Sequence, residues 1–226
     1  MNIAIIPARG GSKRIPKKNI KNFMGKPIIA YSIEAAKQSN LFDEILVSTD
    51  DDEIADIAKS YGASVPFKRP ENLSDDFTGT TPVVRHAANW FRDNLQKAEH
   101  ICCIYSTAPF VQVKYLQQGF ELLKSMQQGM TYSLTTFAFP IQRAQKMDKS
   151  GHPIPFYPEY MESRSQDLDE AYHDAGQFYW WTESSLNQGV KEKKAVILPR
   201  YLVQDIDTLE DWKRAELMYQ AIHLEE

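Results

Sequence analysis

The sequence predicts an α/β domain of three layers, in which helices cover both faces of a mainly parallel sheet. Strand-like and helix-like segments alternate along most of the chain, and the strand-like runs contain few polar residues. Strands that are buried on both faces have this composition, and amphipathic segments between them supply the covering helices. At 226 residues the chain is long enough for one large domain, and we expect a single domain with one insertion.

The predicted elements begin with an apolar strand at residues 3–6. Pro27 suits the first turn of a helix over residues 28–38. A backbone N–H at that position has no partner within the helix, so the N–H that proline lacks is not missed. Residues 44–49 have the apolar composition of a second buried strand.

The next helix carries signals at both of its ends. Asp51 or Asp52 is expected to cap its start, and Gly62 is expected to end it. Residues 63–67 are apolar enough for a third short strand.

A long amphipathic helix is predicted over residues 80–95. Thr80 or Thr81 would cap it, and Pro82 lies near its first turn. The same alternation predicts strands at 100–105, 131–137, 177–181 and 195–199, and helices at 113–126 and 209–222.

Residues 138–175 interrupt this alternation. From Ala138 to about Asp174 the period is lost, and proline, arginine, glutamine and tyrosine are mixed. Long irregular segments in compact domains are often functional. We expect an insertion that contains a small hairpin or forms an arm.

Composition excludes several classes of protein. The 26 Lys and Arg against 30 Asp and Glu give a net charge of -4, which argues against a nucleic-acid partner. No stretch reaches the roughly 18 apolar residues of a membrane span, and no basic segment leads into a cleavable apolar one. Cys102 and Cys103 are expected to be reduced and buried, because neighbouring strand residues face opposite ways. A cytoplasmic location is therefore predicted.

The loop after the first strand is densely positive. Arg9, Lys13, Arg14 and Lys18 lie there, and glycines at 10–11 allow a sharp turn with exposed amides. The carboxyl edge of a parallel sheet is where such folds bind ligands, so a polyphosphate is the expected partner. Neither the Walker A nor the dinucleotide glycine spacing occurs. A solvated basic turn is the alternative.

Several long motifs, in order, resemble one enzyme family. They are PARGGSKRIPKKN, then GKP at 25–27, VSTDD at 47–51, KRPENLSDDFTGTT, STAP at 106–109, and DIDTLEDW at 205–212. Together they resemble the CMP-sugar synthetases, cytidylyltransferases that activate sialic acid, Kdo and related keto-sugar acids. Within that family YHDAGQFYWW and FPIQRA are most similar to the cytidylyltransferases of pseudaminic acid. The resemblance implies a Rossmann-like, GT-A-like nucleotidyltransferase sheet.

The resemblance also implies the reaction: CTP and a nonulosonic acid give a CMP-sugar and pyrophosphate, for a surface glycan or flagellin. Tyr105 stands where sialic acid synthetases typically have glutamine, and residues 174–176 replace their Asn-Gly-Ala-like stretch. These departures favour pseudaminic acid, with sialic, legionaminic and Kdo synthetases as alternatives. A non-catalytic nucleotide sensor on the same fold is the alternative of another class.

In-line phosphoryl transfer needs positioning and charge neutralisation more than covalent catalysis. Arg9 and Lys18 are the expected catalytic residues, nearest the α-phosphate and the leaving group. The expected nucleotide-binding residues of the loop are Ala8, Arg9, Gly10, Gly11, Ser12, Lys13 and Lys18, and the resemblance implies Asn19, Arg69, Thr78 and Thr80 as well. For Thr80, helix capping is an equal alternative.

Asp205 and Asp207 are the candidate metal ligands. Residues two apart on an extended segment project to one side, where two carboxylates can take Mg²⁺. The alternative is that Asp207 or Thr208 caps the last helix, with Asp211 completing a capping box.

The sugar site is expected from the insertion and from the strand that follows it. Arginines there can bind the carboxylate of the sugar acid in a bidentate manner. The candidates are Tyr105, Gln142, Arg143, Arg164, His173, Asp174, Gln177 and Phe178. His173 is a candidate general base, whereas Phe178, Trp180 and Trp181 can instead be core. By resemblance the insertion is a dimerisation element that completes the neighbour's sugar site, so we expect a homodimer.

Overall fold

The computed structural model describes residues 1–224, in which strands and helices alternate. The strands of this part of the chain are β1 (Asn2–Pro7), β2 (Asn22–Phe23), β3 (Lys26–Pro27), β4 (Glu44–Ser48), β5 (His100–Ile104), β6 (Gly129–Thr136), β7 (Gln145–Met147), β8 (Pro153–Pro155), β9 (Tyr172–Thr182) and β10 (Glu192–Leu198). The α-helices are α1 (Ile28–Ser39), α2 (Asp52–Ser60), α3 (Thr80–Asn94), α4 (Val113–Lys124), α5 (Glu183–Gln188) and α6 (Leu209–His223).

The central sheet has six strands in the order β10-β6-β9-β5-β1-β4. β4, β1 and β5 pair in parallel, and β10 pairs in parallel with β6. β9 lies between β5 and β6 and runs antiparallel to both. The mainly parallel sheet confirms the predicted fold class, and the reversed β9 is the departure from it.

Helices cover both faces of this sheet. One apolar cluster joins the sheet to α1, α2 and α4, and a second joins it to α3 and α5. Cys102 lies in the first cluster and Cys103 in the second. Both cysteines are free and fully buried, which confirms the prediction.

A third apolar cluster attaches α6 to the chain that follows β1. Phe23 makes edge-to-face contacts with Trp212 and Tyr219, at centroid distances of 5.5 Å each. Ile15 and Ile206 are buried in the same cluster. This packing holds the basic loop and the 205–207 segment against one another.

Several predicted boundaries are wrong. Residues 63–67 form no strand: Ser64 makes one isolated bridge, with Leu46, and the next bridge joins Thr49 to Lys68, because Pro66 between them cannot donate to a ladder. α3 begins at Thr80 with Gly79 as its N-cap, so neither threonine caps it.

Other local predictions are confirmed. The Asp51 carboxylate accepts from the Ile54 amide at 3.0 Å and caps α2. Thr208 caps α6 in a complete capping box with Asp211.

Residues 137–171 form an arm outside the sheet. The arm contains the small antiparallel hairpin β7–β8. It carries large exposed apolar side chains: Phe139 is 83% exposed and Met147 is 65% exposed. β9 already begins at Tyr172, so residues 172–175, assigned to the insertion, lie in the sheet.

Within residues 1–224, none of the helices combines the length and the apolar character needed to cross a membrane.

Candidate active site

A cleft of about 270 Å³ opens where β1 and β5 end. Its lining combines five segments that are distant in sequence. The lining residues are Pro7, Arg9, Ser12, Arg14, Lys18, Asn19, Arg69, Thr78, Gly79, Thr80, Val83, Tyr105, Ser106, Thr107 and Asp207. The basic loop and Asp207 therefore face the same cleft, as the sequence analysis required.

The basic loop bends tightly against the end of β4. The Gly10 amide donates to Asp50 Oδ1 at 2.9 Å. A Cβ at Gly10 would lie 2.7 Å from Asp51 Oδ2, so this close approach requires glycine. Asp51 is also the N-cap of α2, so the start of that helix is the surface against which the loop turns.

Two cations of the loop bind one carboxylate. Arg9 Nη1 donates to Asp76 Oδ1 at 2.6 Å and to the Asp75 carbonyl at 2.8 Å. Lys13 forms an ion pair with the other oxygen of Asp76. Hydrogen bonds from Lys13 and Arg9 lower the pKa of Asp76.

Lys18 points across the cleft toward the chain before α6. Its Nζ donates to the Ile206 carbonyl at 2.6 Å and lies 3.4 Å from Asp207 Oδ1. Arg14 Nη2 lies 3.0 Å from the same Asp207 oxygen. The loop thus presents four cations, each paired with an acceptor that an anionic ligand can replace.

Asn19 is buried and braces the cleft from beneath. Its amide nitrogen donates to the Arg9 carbonyl at 2.8 Å, and its oxygen accepts from Ser106 Oγ at 2.8 Å. This bridge joins the basic loop to the turn after β5 and fixes the backbone of Arg9.

Arg69 is 5% exposed and lines the inner wall of the cleft. Its Nε donates to Ser48 Oγ at 3.1 Å, and its Nη2 donates to the Ser48 carbonyl. Burial lowers the pKa of Arg69 to about 10, and Asp50 opposes this shift. The guanidinium therefore remains a cation at neutral pH.

The other predicted nucleotide residues lie in or beside the cleft. The Ala8 side chain is buried, and its amide donates to the Ser48 carbonyl at 2.9 Å. Ser12 lines the cleft, Gly11 is next to it, and Lys13 is largely exposed.

Thr78 and Thr80 flank the start of α3. The Thr78 amide donates to Asp75 Oδ1 at 2.6 Å in a tight turn. Thr80 Oγ1 lies 3.2 Å from the Tyr105 hydroxyl. Gly79 offers no side chain to cap α3, and Gly79, Thr80 and Val83 line the cleft, so the helix dipole favours negative charge there.

Asp205 and Asp207 fit a divalent cation in part. Asp207 is not needed to cap α6, since Thr208 and Asp211 do so. Desolvation and the nearby Asp207 charge raise the pKa of Asp205. Asp207 lines the cleft, whereas Asp205 is not among its lining residues. No cluster of three or more acidic, histidine or cysteine ligands occurs in residues 1–224, so phosphate oxygens or water would complete the shell.

The strand residues of the predicted sugar site differ in position. Tyr105 lines the cleft. Asp174 and His173 are exposed at the start of β9, where the His173 ring packs on Phe137. Gln177 is buried, and its Nε2 donates to the Leu202 carbonyl at 2.5 Å.

The arm residues of that prediction have local partners. Arg164 binds Asp167 at 2.7 Å, and Arg143 lies 3.4 Å from Ser165 Oγ. Gln142 donates to the Asp169 carbonyl at 3.0 Å. None of these three side chains lines the cleft of its own chain.

The predicted sugar contact at Phe178 does not fit the structure. Its side chain is fully buried against α4, and the place of a Cβ on Gly119 would be 2.9 Å from its ring. A ring enclosed in this way cannot contact a sugar, so the core alternative holds. Trp180 and Trp181 are also buried, as expected for core residues.

Two residues of this region were not predicted. Asp76 was overlooked because a carboxylate beside a polyphosphate site has no favourable role until the fold pairs it with Arg9 and Lys13. Tyr179 was overlooked because it lies in an aromatic strand. The alternation along that strand predicts that Tyr179 is buried, but it does not predict that the Tyr179 hydroxyl has a specific hydrogen-bond partner.

A cation-lined cleft at the carboxyl end of parallel strands, next to a helix N-terminus and the Asp207 carboxylate, defines a nucleotide-binding α/β protein. The chain belongs to the cytidylyltransferase family, whose model matches residues 3–186.

Named relatives extend over almost the whole chain. It is 45% identical to the pseudaminic acid cytidylyltransferase of Campylobacter jejuni, over 98% of this chain and 97% of the relative. It is 35% identical to the N-acylneuraminate cytidylyltransferase of Oncorhynchus mykiss, over 94% of this chain and 49% of that protein. The solved structure of a CMP:2-keto-3-deoxy-manno-octonic acid synthetase complexed with CTP superposes with a TM-score of 0.70 at 16% identity, covering 97% of this chain and 99% of that one.

Proposed function

We propose that this protein transfers CMP from CTP to a nonulosonic acid, with pseudaminic acid as the preferred acceptor. The observation that carries the proposal is the single cleft that joins the basic loop, the α3 N-terminus and Asp207. The 45% identity to pseudaminic acid cytidylyltransferases supports the choice of substrate.

In the proposed reaction the anomeric hydroxyl of the sugar acid attacks the α-phosphorus of CTP. The new bond joins the sugar oxygen to that phosphorus, and the bond from the α-phosphorus to the oxygen that bridges it to the β-phosphate breaks. Pyrophosphate leaves with that electron pair, and the hydroxyl proton passes to His173, the candidate general base, or to water. Arg9 and Lys18 stabilise the charge that develops on the leaving group. Ser12, Lys13 and the Gly11 amide bind the β- and γ-phosphates, while the Gly10 amide, which donates to Asp50, holds the turn in place.

The base and ribose would lie against the inner wall of the cleft. Arg69 is a fixed cation there, and Thr78 and Thr80 offer short hydroxyls beside the α3 N-terminus. Such groups distinguish the cytosine amine from the uracil carbonyl at close range. The buried Ala8 and the Asn19 brace support this wall from behind.

Asp205 and Asp207 would hold Mg²⁺. Bound there, the cation neutralises charge between the phosphates and the carboxylate of the sugar acid. Lys18 and Arg14, which pair with Asp207 in the structure, would then be available to the phosphates.

The sugar acid would approach from the side of Tyr105, Gln177, Asp174 and His173. Gln142, Arg143 and Arg164 lie in the arm, outside the cleft of their own chain, so we propose that they reach the cleft of a second copy. The exposed apolar side chains of the arm suit burial in such a homodimer. Light scattering with size-exclusion chromatography is expected to give twice the chain mass, and a monomer at micromolar concentration would contradict this.

The proposed reaction belongs in the cytoplasm, and the buried, reduced Cys102 and Cys103 are compatible with that location.

A substrate panel at fixed CTP and Mg²⁺ tests the proposed function. Pseudaminic, legionaminic, sialic and Kdo acids are each supplied, and pyrophosphate release is measured. The fastest release is expected with pseudaminic acid. Rapid turnover of sialic acid without turnover of pseudaminic acid would reject the assigned acceptor. CTP binding without pyrophosphate release from any acid would instead indicate a nucleotide sensor.

A further inference from the structure

β9 departs from regular pairing at the sugar side of the cleft. On β6, Tyr132 pairs with Tyr179 and Leu134 pairs with Asp174. The segment of β6 between these pairs therefore lies opposite a longer segment of β9. The extra residues of β9 form a bulge, in which Gly176 has a φ of 62°. Bulges of this kind redirect a strand and often lie next to sites.

The Asp174 carboxylate fixes the bulge from one side. Its Oδ1 accepts from the Gly176 amide at 2.8 Å and from the Tyr179 hydroxyl at 2.8 Å. Tyr179 is itself 8% exposed. Its ring stacks between Tyr132, at an interplanar angle of 8°, and Trp181, at 22°, so its hydroxyl is held in place.

Tyr179 also lies next to Tyr105, on the side of the cleft where we propose that the nucleotide binds. The Tyr179 and Tyr105 ring centroids are 5.2 Å apart. The Tyr105 hydroxyl in turn lies 3.2 Å from Thr80 Oγ1 at the start of α3. Burial raises the pKa of both phenols, so both remain protonated at neutral pH.

We propose that Tyr179 is a positioning residue for the acceptor sugar. Its hydroxyl fixes the position of Asp174 and the β9 bulge relative to Tyr105 and Thr80. It thereby sets the distance between the part of the cleft proposed for the sugar acid and the part proposed for the nucleotide. Because Tyr179 is buried, it acts through Asp174 and Tyr105 and does not touch substrate. This inference rests on the proposed function and adds to it a residue that fixes acceptor geometry.

Tyr179→Phe tests the inference, because it removes the hydroxyl and keeps the stacked ring. The apparent KM for pseudaminic acid is expected to rise about tenfold, the effect of losing one hydrogen bond to a charged group. The KM for CTP is expected to stay within about twofold, since Asn19 and Arg69 hold that side independently. Tyr132→Phe is the matched control: it removes the stacked neighbour's hydroxyl, for which residues 1–224 provide no hydrogen-bond partner.

A double-mutant cycle separates positioning from general stability. In an Asp174→Ala background, Tyr179→Phe is expected to change the sugar-acid KM by less than about twofold, since its partner is gone. Additive effects, or equal increases in both KM values, overturn the inference. So does an active wild type whose Tyr179→Phe variant keeps its sugar-acid KM. A wild type that uses no nonulosonic acid overturns the proposed function and, with it, this inference.

Discussion

Asp76 and Arg9 form an ion pair beside the cleft, with Oδ1 2.6 Å from Nη1, although they are 67 positions apart in the sequence. Lys13 binds the second oxygen of the same carboxylate. One acidic side chain therefore occupies two of the cations that the proposed function assigns to the triphosphate.

Asp76→Asn is expected to lower the KM for CTP several-fold. The substitution removes a negative charge that competes with the triphosphate for Arg9 and Lys13, and it keeps the shape of the side chain. Steady-state kinetics at low and high salt measure the effect, which is expected to shrink as salt screens the charges. Asp56→Asn, an exposed carboxylate on α2, is the control for net charge. If Asp56→Asn changes the KM for CTP equally, the effect comes from the net charge of the protein and not from the pairs with Arg9 and Lys13.

The same effect is expected to be independent of pH from about 6 to 9. The hydrogen bonds of Lys13 and Arg9 lower the pKa of Asp76, so the carboxylate is already ionised above the usual aspartate value of about 3.9. The pair, and any stability that it contributes, is lost only as the pH falls through that lowered pKa. A pH–KM profile of both proteins provides the measurement, and a difference that vanishes near pH 6 would contradict it.

Arg9→Ala and Lys18→Ala are expected to lower kcat by about 100-fold and to change CTP affinity much less. Contacts that strengthen as charge moves to pyrophosphate stabilise the transition state more than the ground state. Pre-steady-state turnover and CTP titration separate the two quantities. Lys17→Ala is the control, because Lys17 pairs with Glu53 and does not line the cleft. Losses confined to CTP affinity would contradict the assigned catalytic role.

Asp207→Asn is expected to raise the Mg²⁺ concentration for half-maximal rate by about tenfold or more, since one of two proposed ligand charges is lost. Thr208→Ala is the matched control at the next position. It removes the N-cap of α6 and is expected to cost about 1 kcal/mol of stability, with no change in the Mg²⁺ titration. An unchanged titration in Asp207→Asn would remove the metal assignment.

Phe178→Leu is expected to lower the free energy of unfolding by about 1–3 kcal/mol and to leave the sugar-acid KM unchanged. The ring fills the core beside Gly119 and has no exposed surface. Denaturant unfolding and steady-state kinetics test the two parts. Leu217→Ala, at an exposed position of α6 outside the arm, should leave stability within about 0.5 kcal/mol. A raised KM in a stable Phe178 variant would restore the sugar contact.

Arg143→Ala is expected to raise the apparent KM for the sugar acid about tenfold and to leave CTP binding alone. A bidentate guanidinium–carboxylate contact would be lost. Lys149→Ala removes a nearby exposed charge of the arm and serves as the control. Equal effects of both substitutions would point to the overall charge of the arm.

The parts of the fold that were predictable depend on local signals. Apolar runs marked the strands, and the Asp51 cap and the Thr208–Asp211 capping box marked two helix starts. The direction of β9 carries no such signal, because an apolar strand has the same pattern in either orientation. Residues 63–67 had the composition of a strand, but Pro66 interrupts the ladder there.

The site was predictable where motif and chemistry agreed, and less so where long-range pairing decides. The loop cations and Asp207 do meet in one cleft. Phe178 was mistaken for a sugar contact because it lies beside polar candidates. Along β9 the alternation sends Phe178 and Trp180 to the α4 face, and Tyr179 and Trp181 to the α3 face.

The arm leaves and rejoins the sheet at a single cross-strand pair, Thr136 with Tyr172, which the Phe137 amide closes by donating to the Ala171 carbonyl at 3.0 Å. Because both ends are fixed side by side, residues added to or removed from the arm leave the strand register unaltered. The arm can therefore vary in length and sequence without shifting the strands that carry the nucleotide side of the cleft. Since we propose that the arm supplies acceptor contacts, exchanging arms between related chains would be expected to change which acid is used.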